Sequence, residues 1–182
     1  MAYNNCPCSA LTAIQTSCGE TQVGGIRRVI VACAKDVTFG AQVDGEIDSI
    51  TLESGVKTYQ ISFRKQSSTF NSEMTIDDAT GVRFATTTAE IVVSKMNKSR
   101  LHAVRGLLNS EIVAFVEDMN GVWYVMGAEN VVTATAATMT TGTAATDANQ
   151  VALTLTDISS TLPYTLGQTA IATITDPATL EV

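Results

Sequence analysis

A chain of 182 residues suffices for one domain with a sizeable core, since a domain of this size buries roughly 70% of the surface its unfolded chain exposes and needs neither metal nor disulfide to fold. Apolar residues make up 45%, but charged residues only 16%, well below the ~25% usual for soluble domains. The formal charge of −7, with no run of like charges, excludes a dedicated nucleic-acid binder, which needs a basic stripe to release counterions from phosphates.

No stretch approaches the ~20 apolar residues of a membrane span, and residues 1–8 lack the basic segment and apolar run of a signal peptide. The expectation is a chain made and folded in a cytoplasm, with no membrane partner. A surface so poor in charge is wetted by its hydroxyls or hidden against copies of itself.

In chain order, residues 1–24 are small and polar and form an N-terminal segment of their own. They hold Cys6, Cys8 and Cys18; the fourth cysteine is Cys33. Cys6 and Cys8 are one residue apart, whereas structural zinc pairs usually have two to four residues between them, and cytoplasmic cysteines are usually reduced. Free thiols and no metal are expected. Residues 26–33 are a β-branched run too short for a helix and so predict a strand. Residues 47–52 continue in strand fashion between Asp44-Gly45 and Ser54-Gly55 turns. Tyr59, Ile61 and Phe63 alternate with polar neighbours, the period of a strand with one buried face.

Residues 65–81 read as a long polar connection carrying isolated apolar residues Phe70, Met74 and Ile76. Loops beyond about 12–15 residues are uncommon inside a compact domain and are usually functional. Strand chemistry returns over 82–96. One helix is predicted, capped by Asn97 or Ser99, with Leu101, Val104 and Leu108 as its core stripe and Asn109-Ser110 at its end. The clearest hairpin follows: 111–117 and 122–126 flank a turn ending in Asn120-Gly121. Residues 131–146 are a Thr/Ala tract readable as edge strand or loop. Val151, Leu153 and Leu155 alternate with small polar residues, and 169–175 suggests a last strand.

The tally is mainly β: a two-sheet sandwich or barrel with one flanking helix and a long inter-strand arm. Catalytic motifs are absent. Asp77-Asp78 and Glu117-Asp118 read as solvated turn carboxylates, and Asp147-x-Asn149 lacks the glycine and distal glutamate of a calcium loop. The single histidine, His102, reads as a solvated or interface residue on the helix's polar side. No catalytic, cofactor or metal site is expected, and no small-molecule substrate.

The element order, with Trp123-Tyr124, Gly127 and Asp147-x-Asn149 at their places in it, resembles the tail tube (major tail) proteins of tailed bacteriophages over residues 26–164. The resemblance implies a domain at 25–166 with a C-terminal extension at 167–182. It implies stacked, six-membered rings whose inner sheets join into a barrel around a channel. By this likeness 65–81 is the stacking arm, with Phe70, Met74, Ile76, Asp77 and Asp78 in the contact. The implied partners are the chain itself and other phage tail proteins; DNA passes through the lumen without specific binding, and the protein resides in the virion after assembly in the host cytoplasm. The alternatives are another ring-forming or decoration virion protein, such as a tail terminator or head-completion ring, and a secreted carbohydrate-binding or adhesin sandwich. An adhesin would need an export signal and usually an aromatic platform, yet aromatics are 5%.

Overall fold

A computed structural model describes residues 22–63, 67–144 and 146–182. The fold is mainly β, organised in several sheets. Its centre is formed by β1 (Ile26–Cys33), which pairs antiparallel with β9 (Ile112–Asp118), itself in a hairpin with β10 (Trp123–Met126). Short strands extend this sheet on both sides: β6 (Thr58–Ile61) and β14 (Leu180–Glu181) beyond β1, then β13 (Thr165–Leu166), β4 (Glu46–Ile47) and β3 (Gln42–Val43) beyond β10.

The central strands are apolar without alternation because both of their faces are covered. Val29, Val31, Ala114 and Val116 enter one core, while Ile30, Ala32, Val113 and Phe115 enter another on the opposite face. The first core lies between this sheet and a second, four-stranded sheet in the order β11 (Thr133–Thr140), β12 (Gln150–Ser159), β8 (Val82–Ser94), β7 (Thr69–Asp77). That sheet contributes Ala89, Ile91, Val93, Leu153 and Leu155. The second core is closed by the small sheet β2 (Val37–Phe39) with β5 (Ile50–Leu52) and by helix α2 (Gln168–Ile174), through Val37, Ile50, Ala170 and Ile174.

Helix α1 (Lys98–Leu108) follows β8 directly. Asn97 caps it, its side chain accepting from the Arg100 N–H at 2.9 Å. The stripe it turns inward runs through Val104, which is buried, and Leu107, which packs on the first core. Leu101 is half-buried, and Leu108 is 38% exposed rather than part of the core. Leu107 takes its place because the inward arc follows the three-residue step from Val104.

Three further expectations change. Residues 169–175 are helix, not strand: the β-branched composition suggests extended chain, but Ala170 and Ile174 lie one helical turn apart and both are fully buried. With β14 pairing parallel to β6, residues 167–182 complete the central sheet and second core instead of extending from them. The expected 65–81 loop is mostly strand. β7 pairs with β8 from Thr69↔Glu90 to Asp77↔Val82, leaving Ser67, Ser68 and the 78–81 turn outside strands; residues 64–66 lie outside those described. The Thr/Ala tract becomes the edge strand β11, with a bulge between Ala134 and Ala136. Residues 1–21, including Cys6, Cys8 and Cys18, lie outside the described residues, and Cys33 is a free thiol.

Candidate self-assembly surface

The register of the four-stranded sheet assigns every side chain to a face. Ala85, Thr87, Ala89, Ile91 and Val93 of β8 point inward with Val151, Leu153, Leu155, Asp157 and Ser159 of β12. The residues between them point away from the body: Thr86, Thr88, Glu90, Val92 and Ser94, with Gln150, Ala152, Thr154, Thr156 and Ile158. On β7 the outward set is Thr69, Asn71, Glu73, Thr75 and Asp77. On β11 it includes Thr133, Ala136, Thr138 and Thr140, and the Thr135 hydroxyl pairs with that of Thr156 at 2.9 Å. The outer face is therefore a field of threonines and small residues. Its only charges among these strand residues are the carboxylates Glu73, Asp77 and Glu90.

Neither border of this sheet is paired with a further strand among the described residues, although α1 lies beside β11. Among the described residues β7 and β11 each have a single hydrogen-bonded neighbour, so strands of nine and eight residues each present a free row of N–H and C=O groups, a template for a further strand.

The sheet also projects at opposite ends. β12 pairs with β8 only as far as Ala85, so Thr75–Asp77 and Val82–Phe84 continue as a two-stranded arm, three rows or about 10 Å long, and its residues are almost all exposed. Ile76 is 55% and Met74 39% exposed. Asp77 shapes the tip: it accepts from the Ala79 N–H at 2.9 Å and the Thr80 hydroxyl at 2.6 Å. The Thr80 hydroxyl bond, then that from Ala79, holds its carboxyl below the usual aspartate range. Of the residues expected in the contact, Asp77 is thus occupied in forming the turn, while Asp78, Met74 and Ile76 are presented. Phe70 is not presented. It roots the arm, stacking on Tyr124 of the central sheet with ring centroids 5.3 Å apart, beside an open cleft of about 480 Å³ also lined by Val23, Gly25, Leu162 and Pro163. Burial, and after it the Asp118 carboxylate, pushes the Tyr124 hydroxyl up from its ordinary value.

At the other end the β11–β12 connection projects, closed by Asp147, whose carboxylate accepts from the N–H groups of Thr143 at 2.7 Å and Ala144 at 2.8 Å. The bond from Ala144, then those from Thr143, lowers its pKa. The Asp147-x-Asn149 signal marks a turn.

No family model, curated protein or solved structure matches this chain. Its surface chemistry rests on its own geometry. Among the described residues no three metal-ligating side chains converge, and no helix is long and apolar enough to cross a membrane. His102 is exposed.

Two carboxylates are more deeply placed than their sequence neighbourhoods suggest. Glu117, read as a turn residue, is 4% exposed; it takes Arg28 at 2.8 Å and Arg27 at 3.2 Å, with Arg28 lying 5.0 Å over the Trp123 ring. A signal was present: Glu117 ends the apolar run of β9, and Arg27-Arg28 open β1 opposite it. Asp157, 5% exposed, accepts from the Gly127 N–H at 3.0 Å through one oxygen, while its other oxygen has no partner among the described residues. Burial pushes its carboxyl up, the Gly127 bond opposes this, and Glu129 adds to the rise. Gly127, at φ 96°, lets the chain turn out of β10 where a Cβ would meet the Ile112 carbonyl at 3.3 Å.

Proposed function

We propose that this protein is a structural subunit that assembles with copies of itself into stacked rings, as the subunits of a bacteriophage tail tube do. The observation that carries the reading is the four-stranded sheet with two long borders, β7 and β11, unpaired among the described residues. Joining the β7 border of one copy to the β11 border of the next satisfies both rows of backbone groups and continues the sheet. Repeated around an axis, the contact is heterologous and closes into a ring.

In this reading the domain is the tail-tube-like sandwich with α1 at its flank, and the Thr/Ala face lines the channel. That lining suits passage of DNA. The outward rows of its four strands hold no lysine or arginine, and each such cation would add a counterion-release gain that slows the duplex. The arm built by β7 and β8 stands along the strand direction, where it reaches a neighbouring ring. Nothing in this role requires a catalytic centre.

Sedimentation velocity across a concentration series, paired with negative-stain microscopy, tests the proposal. Hollow tubes of indefinite length are the expected outcome. Single closed rings would favour a terminator or head-completion role, and a strict monomer at the highest concentrations refutes assembly altogether.

A further inference from the structure

One stretch of this acidic chain is basic. Lys95, Lys98, Arg100 and Arg105, four of the eleven lysines and arginines, fall within eleven residues together with the only histidine. No aspartate or glutamate occurs from residue 91 to residue 110, and the rest of the chain sets seven cations against eighteen carboxylates. All four cations are exposed. Lys95 follows the end of β8, Lys98 and Arg100 open α1, and Arg105 lies in the last turn of that helix. The Arg100 guanidinium is held over that end, donating to the carbonyls of Ser94 at 2.7 Å and Lys95 at 2.9 Å. Lys95 N–H binds the Asn149 carbonyl at 3.0 Å, so the patch adjoins the β11–β12 connection. The carboxylate of that connection, Asp147, is taken up by its own turn.

β8 runs from the arm at its first residue to the basic patch at its last. The arm carries Asp77 and Asp78 against one cation, Arg83, with Glu73 at its root. The same strand therefore has an acidic projection at one end and a basic platform at the other. Exposed apolar groups accompany both: Ile76 and Val82 on the arm with Met74 at its root, Met139 near the platform. A copy translated along the strand direction brings unlike charges together, and that contact does not close, so it propagates.

We propose that the platform of Lys95, Lys98 and Arg100 is the receiving surface for the Asp78-bearing arm of a second copy of this chain. The proposal rests on the self-assembly reading and assigns the partner of its arm. Asp78 is the residue to test, since Asp77 is needed by the turn.

The experiment compares wild type, Asp78→Lys, Lys98→Glu and the double variant by sedimentation and microscopy, with thermal unfolding to show that all four fold alike. Each single reversal sets like charges face to face and raises the concentration needed for assembly by about tenfold or more; the double variant restores it. A 1:1 mixture of the two single variants also recovers assembly, because the chains can alternate. Wild-type assembly weakens as salt rises. Wild type that assembles while neither reversal changes its threshold overturns this contact and leaves the ring reading standing. Wild type that never assembles overturns the ring reading itself. Binding of a duplex DNA oligonucleotide by wild type in low salt, lost in Lys98→Glu, assigns the platform to nucleic acid and also overturns the contact.

Discussion

Replacing Ile174 with alanine tests whether the last sixteen residues belong to the fold. Ile174 is fully buried in the second core, one turn beyond Ala170, which is also fully buried. Removing such a side chain costs the lost transfer energy plus a cavity, about 2–5 kcal/mol. For a domain of this size each kcal/mol lowers the melting temperature by roughly 2–4 °C, which gives a drop of about 4–20 °C. Cutting the chain before residue 167 does more. It uncovers Ile30 and Phe115, and it takes away the Ile174 carbonyl to which the buried Thr58 hydroxyl donates at 3.1 Å. The cut also removes β14, which pairs with β6 at Thr58, so part of the central sheet is lost with the core. Losing so much of the second core weighs heavily against the roughly 5–15 kcal/mol typical of a domain, so the truncated chain is expected to lose its cooperative transition. Calorimetry or near-ultraviolet circular dichroism reads both variants. An Ile174→Ala midpoint within about 1 °C of wild type, outside the range the cavity cost allows, would show that α2 does not seal the second core.

Leu107→Ala and Leu108→Ala separate the two candidate stripes of α1: denaturant midpoints should fall clearly for Leu107 and by less than about 1 kcal/mol-equivalent for Leu108, as for a surface change, and equal losses would reject the helix orientation. Asp157→Asn should stabilise the protein at neutral pH. Its folded-state pKa is raised by burial, so the native carboxyl favours the protonated form; stability is greatest below the ordinary aspartate value and falls as pH rises through the folded one. The advantage of the asparagine therefore shrinks in acid, and an advantage independent of pH would show that the carboxylate's charge is not its source. Gel-shift or anisotropy titration of duplex DNA should detect no affinity even in low salt if the outward face, whose strand rows hold no lysine or arginine, lines a channel as proposed; salt-sensitive binding that survives Lys98→Glu would contradict that role for the face.

Strand periodicity made much of the fold legible. The 26–33 strand, the Asn-Gly hairpin and the Asn97-capped helix appear where β-branched runs, turn chemistry and capping place them. The failures have one physical cause: local composition was outvoted by packing. Gln168–Ile174 is rich in Thr and Ile and looks extended, yet a single apolar stripe against the second core makes it helical. In Thr69–Asp77 the inward row is Phe70, Ser72, Met74 and Ile76; a serine hydrogen-bonded to the Thr87 hydroxyl at 2.8 Å interrupts it, so the period of two is masked. Glu117 sits beside turn residues in sequence and beside two arginines only after β1 and β9 pair across ninety positions. Of the candidate surface, the exposed arm residues were visible as apolar positions in polar surroundings. The Thr/Ala outer face was not, because alternating threonine and alanine do not reveal which of the two faces inward until Ile91, Val93, Leu153 and Leu155 fix the parity.

The division of side chains across β8 and β12 has a practical meaning for anyone wishing to alter the protein. Inward positions are committed to the core, but Thr86, Thr88, Ala152 and Thr154 point away from it. They form an addressable grid, spaced about 6–7 Å along each strand and 4.7–4.9 Å between strands. A lysine, a histidine or a cysteine written onto one of these sites would be displayed once per subunit at a fixed height, and in a ring it would become a girdle of identical groups. Charge, metal affinity or a chemical label could thus be changed one latitude at a time, leaving both cores and both borders as they are.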